Sequence, residues 1–376
     1  MNKKKITLSI KIQLSILVLS TIFIIVCIFS SSFADWYTSN IFPMWINTYG
    51  RFTSLFPFSF GEKLIFVGLI LLGLLLVVFI YFLFSLIIFL FRKNKDRKFH
   101  IPVFIQKYLR FISWVLTIIY LVMNLNCFSL YQCSQMDCNH SYTLEELTLL
   151  RDHIVNKLNA YAVTFERDSS GNIIYTGDME SEAKKAMQKL DNLFERMDGY
   201  QVTPKTLDNS VFMSQQYMQG YYFPFSMEAN INGLMSISNK PFTMCHELSH
   251  TRGYIFEDEA NLIGFMACIN SDDTFFQYSG YISVLNYVNN AFYKSVDIDT
   301  YRSHVEVSNL VWYDDQFLTD EAWDYVNSHS FISTETIKSA ADTFVDTTLK
   351  VNGVEEGKLS YNHVVDLLIT YYDYND

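Results

Sequence analysis

Apolar positions in this chain fall into two regimes. The first third holds three long stretches without a charged residue: 23 residues between Lys11 and Asp35, 28 between Lys63 and Arg92, and 26 between Arg110 and Asp137. Each exceeds the roughly 20 residues that a helix needs to cross a bilayer. Three such runs within 136 residues leave too little polar chain to cover them in water, so three transmembrane helices are predicted, at about 12–34, 64–91 and 111–131. The first ends in Ser32-Phe33-Ala34, small residues two apart as in a cleavable signal peptide, but its apolar stretch is long for that role and an uncleaved anchor is the preferred reading.

Beyond residue 136 the apolar residues become periodic. Thr143-Leu144-Glu145-Glu146 reads as a capping box opening a helix to about residue 162, with Leu147, Leu150, Ile154 and Leu158 as its stripe. A strand-like run follows at 172–175, then an amphipathic helix at about 179–198 closing near Gly199. The stretch YYFPFSMEANINGLMSIS, 221–238, alternates instead, and Asn232-Gly233 is a hairpin-turn pair, so a β-hairpin or edge strand is expected there. Pro241, behind Ser238 or Asn239 as N-cap, opens a further helix. Helical patterns return at 281–295, 300–312, 335–350 and 361–371. The expected fold class is α+β, predominantly helical, with a membrane domain over 1–136 and a second domain over 137–376.

Charge gives these halves an orientation. Residues 1–136 carry +10 and residues 137–376 carry −21. The N-terminus holds Lys3, Lys4, Lys5 and Lys11, and the 92–110 connection holds seven basic residues against Asp96, whereas the 35–63 connection has only Arg51 and Lys63. Short basic loops stay in the cytoplasm, so the N-terminus is expected inside and the C-terminal domain outside. A domain this acidic repels phosphate backbones, which argues against nucleic acid as a partner. Export permits disulfides, and Cys133 with Cys138 is the first pair to consider.

The candidate chemistry lies in MCHELSHTRGYIFEDEAN, 244–261. On a helix, His246 and His250 share one face, about 5–6 Å apart at Cβ, where each can turn a ring nitrogen to one ion about 2.0–2.1 Å away. Glu247 lies one residue's rotation round the helix, well placed to take a proton from a metal-held water. Gly253 can adopt the left-handed conformation that ends this helix and turns the chain back, and the next helix is expected from near Phe256. There Glu257, Ala260, Asn261, Gly264 and Cys268 form one face, while Glu259 points nearly the opposite way. Glu257 is therefore the expected third ligand, with Glu259 as the alternative and Asn261 orienting a histidine from behind. Tyr254, Tyr278, Arg302 and His304 are candidate donors to an oxyanion. More than 100 residues separate the third span from His246, so the histidines are not expected inside the bilayer.

HELSH followed by Glu257-Asp258-Glu259-Ala260-Asn261 resembles the HExxH plus ExxA(D/N) signature of gluzincin metallopeptidases, in which the first glutamate of the second motif is the third zinc ligand. The interval between the motifs is short for that clan. The run also looks like the start of a metzincin, but Phe256 stands where that family has its third histidine. The three spans and the segments YYFPFSMEANIN, CHELSHTRGYIFEDEAN, QYSGYISVLNYV and GKLSYNHVVDLLITYY resemble a family of bacterial membrane proteins known as domain of unknown function 3810, over nearly the whole chain. The resemblance implies a zincin-like outer domain holding one Zn²⁺ but brings no known substrate; the partners expected are the lipid bilayer, for the three spans, and a peptide or protein substrate for the outer domain. In zincins an edge strand before the metal helix commonly holds the substrate backbone, and Glu228, Asn230 and Asn232 are the residues expected there. The alternative is an extracytoplasmic sensor or scaffold whose metal site is structural or vestigial.

Overall fold

The computed structural model describes residues 7–91, 101–137, 142–351 and 363–373. Among them, three helices are long and apolar enough to cross a membrane: Leu8–Phe29, Phe60–Leu90 and Val103–Met123, the last continued by a π-helical turn, Asn124–Phe128, and a 3-10 turn, Leu130–Gln132. The first is shorter at its end than the uncharged run implies. The chain breaks at Ser30, whose hydroxyl accepts from the Phe33 amide as it caps a separate helix, Ser31–Asn40. The first and third spans are tied by polar contacts: Gln13 donates to the Ser113 carbonyl and the Thr117 hydroxyl, and Asn124 to Ser20, each at 2.8 Å. The second span meets the third where Tyr108 donates to the Leu71 carbonyl at 2.6 Å, and its most apolar stretch is otherwise unburied, as expected of a lipid-facing helix.

The connection between the first two spans is part of the globular core. Tyr37, Phe42 and Ile46 are buried in the same apolar cluster as Leu147, Leu150, Ile154, Leu158, Leu248 and Leu262. A boundary near residue 136 thus divides the chain by composition but not by packing. The capping box forms as the sequence implies, with Glu146 accepting from the Thr143 amide at 2.7 Å and Thr143 from the Glu146 amide at 3.2 Å, and the helix runs Leu144–Ala162 with its stripe buried. The expected 179–198 helix covers only Met179–Gln188 before irregular turns carry the chain to Gly199, whose φ is +94°. The 172–175 run makes an isolated bridge, Arg167 to Ile173, and no strand. The 300–312 pattern is split into Ile298–Ser303 and Asn309–Asp314, while Thr274–Ser295, Thr334–Val351 and Val364–Tyr371 occupy the other helical patterns. Cys138 lies outside the described residues; Cys133 is a free thiol that meets the Thr38 hydroxyl at 3.2 Å.

The sheet differs most from expectation. β1 (Lys205–Thr206), β2 (Gly220–Phe223) and β3 (Glu228–Ile231) stand in the order β1-β3-β2, with β3 parallel to β1 and antiparallel to β2. The hairpin turn is Pro224 to Met227, not Asn232-Gly233, because Tyr221 and Tyr222 already pair with Asn230 and Ala229. β3 is therefore central and buried along its length, and Glu228, Asn230 and Asn232 cannot offer a free edge to a substrate.

Glu228 has a different duty. Its carboxylate accepts from the Phe60 and Gly61 amides at 3.0 and 2.8 Å and from the Ser226 hydroxyl at 2.7 Å, capping the second span from the centre of the sheet. A carboxylate on otherwise unsatisfied N-terminal amides is a strong, charge-assisted cap. Glu228→Gln keeps the side chain's size and one acceptor but removes the charge, and should lower the stability of the detergent-solubilised protein by about 1–3 kcal/mol, read as an earlier thermal transition.

Candidate functional site

The site is built on two antiparallel helices joined by a tight turn, Lys240–Thr251 and Glu257–Ile269. Pro241 sits in the first turn of the histidine helix, where a missing amide costs nothing. Its end is fixed by Arg252, buried and donating to the carbonyls of Arg196, Asp198 and Tyr200. Gly253 then takes φ +89°, and its Cα faces Thr38 so closely that a β-carbon would come within 2.6 Å of that side chain. The glutamate helix lies against the histidine helix through Gly264, where a β-carbon would be 3.1 Å from the His246 backbone nitrogen. The small-residue face inferred for this helix is the one that makes the contact.

These constraints bring three donor atoms together. Glu257 Oε2 is 3.2 Å from His246 Nε2 and 3.9 Å from His250 Nε2, and the two imidazoles cross at 87° with centroids 4.8 Å apart. A tetrahedral zinc with ligands at about 2.0–2.2 Å separates its ligand atoms by about 3.3 Å, so this N, N, O set fits such an ion with small adjustments. His250 Nδ1 lies 2.7 Å from the Tyr254 carbonyl, which can only accept; Nδ1 therefore carries the proton and Nε2 presents its lone pair to the site. Burial pulls the His250 pKa down to about 4, against the opposing Glu257 charge, which keeps the ring in its neutral, ligating form. Burial also disfavours charge on His246, but the Glu257 carboxylate outweighs it and raises that pKa. Glu257 in turn is held below the usual range by the two histidines in spite of its burial.

Asn261 lies one turn beyond Glu257 and interacts with both the His246 ring and Tyr287, though His246 Nδ1 and Asn261 Nδ2 make no hydrogen bond of good geometry. Glu259 faces away, as its place on the helix requires: its carboxylate accepts from the Met136 amide at 2.6 Å, and burial lifts its pKa to about 7. Glu257, not Glu259, stands beside the histidines.

Glu247 is buried at the cleft floor, with Oε2 making no hydrogen bond to the protein, and burial raises its pKa to about 8. His246, Glu247 and His250 each contribute a ligand-type atom within 4.8 Å of the others. Its position depends on β2: a β-carbon on Gly220 would fall 2.5 Å from Glu247 Oε1 and 2.6 Å from its Cγ. Around these groups opens a cavity of about 860 Å³, walled by β2, by the C-terminal end of the third span and by Thr274–Ser295, and reaching Val345 of Thr334–Val351.

Of the candidate oxyanion donors, Tyr254 gives its hydroxyl to the Glu195 carbonyl, Tyr278 to Asp314 at 2.6 Å, and His304 meets Asp152 at 2.7 Å. Neither they nor Arg302 line the cavity. Tyr254 serves the site through its carbonyl, as the partner that orients His250. The tyrosines that do line it include Tyr131, Tyr221, Tyr222 and Tyr287. Tyr287 lies within the predicted 281–295 helix, but its facing depends on how that helix packs. Cys245 and Cys268 meet across the helix pair as free, buried thiols.

Gly220→Ala should force Glu247 or the strand to shift and cost about 1–3 kcal/mol. Gly68→Ala, in the second span with nothing within 4 Å, is the matched control and should be neutral or slightly stabilising. Thermal unfolding of both variants in one detergent makes the comparison.

Neither the comparison with curated proteins nor that with solved structures gives a match. A family described as protein of unknown function (DUF3810) matches residues 37–369, from within the helix after the first span to the last described helix, and the chain belongs to that family.

Proposed function

We propose that this protein is a membrane-anchored, zinc-dependent metallopeptidase of the HExxH type, with its globular part outside the cytoplasmic membrane. The carrying observation is the convergence of His246 Nε2, His250 Nε2 and Glu257 Oε2 at the floor of a peptide-sized cleft, beside a buried carboxyl group with one unpartnered oxygen. The pairing of HELSH with EDEAN, which resembles the gluzincin signature, supports the same reading. The outward orientation rests on the basic 92–110 connection and N-terminus, set against the acidic globular part.

A zinc ion held by these three residues would acidify a bound water and polarise the carbonyl under attack. Glu247, beside them, would act as the general base and acid, accepting a proton from the attacking water and returning it to the amine that leaves as the C–N bond breaks. Among the described residues β2 is an edge strand, and Gly220, Tyr221 and Tyr222 line the cleft, so a substrate backbone can add to it, the role expected from the sequence of Glu228, Asn230 and Asn232. Tyr287, on the opposite wall beside Asn261 and within electrostatic reach of Glu257, is the donor we assign to the developing oxyanion.

Three outcomes test this. The purified full-length protein should carry about one zinc per chain, and His250→Ala and Glu257→Ala should lose it, as metal analysis will show. Glu247→Gln should keep the metal and lower peptide cleavage by about 10²- to 10⁴-fold, whereas a structural metal would leave function intact in that variant. Tyr287→Phe should retain zinc and lower kcat by about 10- to 10³-fold with KM little changed.

A further inference from the structure

Although more than 100 residues of sequence lie between the third span and His246, little space does. The third apolar helical stretch runs Val103–Gln132, and two residues of its outer end, Cys127 and Tyr131, line the same cleft as His246, Glu247, His250 and Glu257. Tyr222 bridges the two: its ring lies 6.5 Å from that of His250, and its hydroxyl donates to the Asn126 carbonyl at 3.2 Å. Asn126 in turn donates to the carbonyl of Pro224, also a cleft residue, at 3.0 Å.

The start of the second span packs against the same sheet. Phe223 packs on Gly61 in the first turn of Phe60–Leu90, where a β-carbon would be 2.8 Å from its ring. Glu62 and Lys63 follow, and the 28-residue uncharged run begins at Leu64. Three residues back along β2, Gly220 touches Glu247. At about 3.3 Å per residue that interval is about 10 Å at most, so the candidate metal centre lies within about 10–15 Å of the second span's first turn. At the start of this span Phe52, Phe56, Phe58 and Phe60 form a linked ring cluster, and Phe52 and Leu55 are 49% and 78% exposed. Exposed aromatic and apolar side chains at the end of a span mark the membrane–water interface.

We propose, resting on the peptidase reading above, that the substrate is a polypeptide anchored in the same bilayer and cut in the stretch just outside it. An extended chain leaving the hydrocarbon beside the third span covers 10–15 Å in three to five residues, enough to lie along β2 with its scissile carbonyl at the centre. Sharing a membrane also replaces three-dimensional search by confinement next to the cleft, which raises the effective concentration of a tethered substrate over a free one. The reaction is ordinary hydrolysis: water adds across the C–N bond, leaving one fragment in the membrane and releasing the other.

The test is a comparison of protein N-termini in the membrane fraction and the surrounding medium of cells carrying either the full-length wild type or Glu247→Gln, at matched levels. Equal zinc content and equal thermal transitions of the two purified proteins establish that the variant is folded. The expected result is a set of termini reduced at least tenfold in the variant, most lying within about six residues of a transmembrane helix or lipid-anchor site. Glu247-dependent termini far from any anchor, or in proteins with none, overturn the proposal and leave the peptidase reading standing. No Glu247-dependent termini at all overturns both.

Discussion

A helix that carries two imidazoles and a carboxyl group within five residues can be buried only if its neighbours come close enough to exclude bulk water and still give the polar atoms something to face. Two glycines meet that demand here. Gly264 lets the glutamate helix approach the backbone of the histidine helix, which places Glu257 within reach of both Nε2 atoms. Gly220 lets β2 run against Glu247 on the other side. The result is a group of ionisable side chains whose charges compensate one another inside the protein, with His246 drawn towards its charged form and His250 held neutral.

The surrounding shell limits how the imidazoles can move. Tyr254 sits in the turn between the two helices, and its carbonyl holds His250 Nδ1 while its ring packs under the Arg196 guanidinium at 4.0 Å. Arg252 ties the same turn to the carbonyls of residues 196–200. Asn261 stands between His246 and Tyr287. Orientation of this kind, by groups that do not themselves reach the ligand point, is what keeps a metal site's donors converged.

The membrane segments take part in the same architecture. Glu228 joins the centre of the sheet to the first turn of the second span, Tyr222 joins the histidine region to the last turn of the third, and the 31–59 connection buries Tyr37, Phe42 and Ile46 in the common core. Movement of either span relative to the sheet would be carried to β2 and from there to Glu247. The spans are part of what shapes the cleft.

Local patterns were legible because their causes are local. Uncharged runs longer than a bilayer, the Thr143–Glu146 capping box, the i, i+4 histidines, the left-handed Gly253 and the opposite facing of Glu257 and Glu259 all follow from hydrophobicity and helix geometry within a few residues. The strand order did not follow in that way. β3 looked like an edge because its own residues alternate, but β1, more than 20 residues earlier, pairs with its other side and takes Glu228, Asn230 and Asn232 out of contention. Tyr287 was invisible as a site residue because a helix's period gives its faces but not which face meets the cleft. Sequence alone determined that the chain is membrane-borne, mostly helical and equipped with a candidate metal triad, since each of those rests on short-range chemistry. Only the tertiary structure decided which strand borders the site and that the end of the third span lines the same cleft, since these depend on contacts between residues from about 25 to more than 100 positions apart.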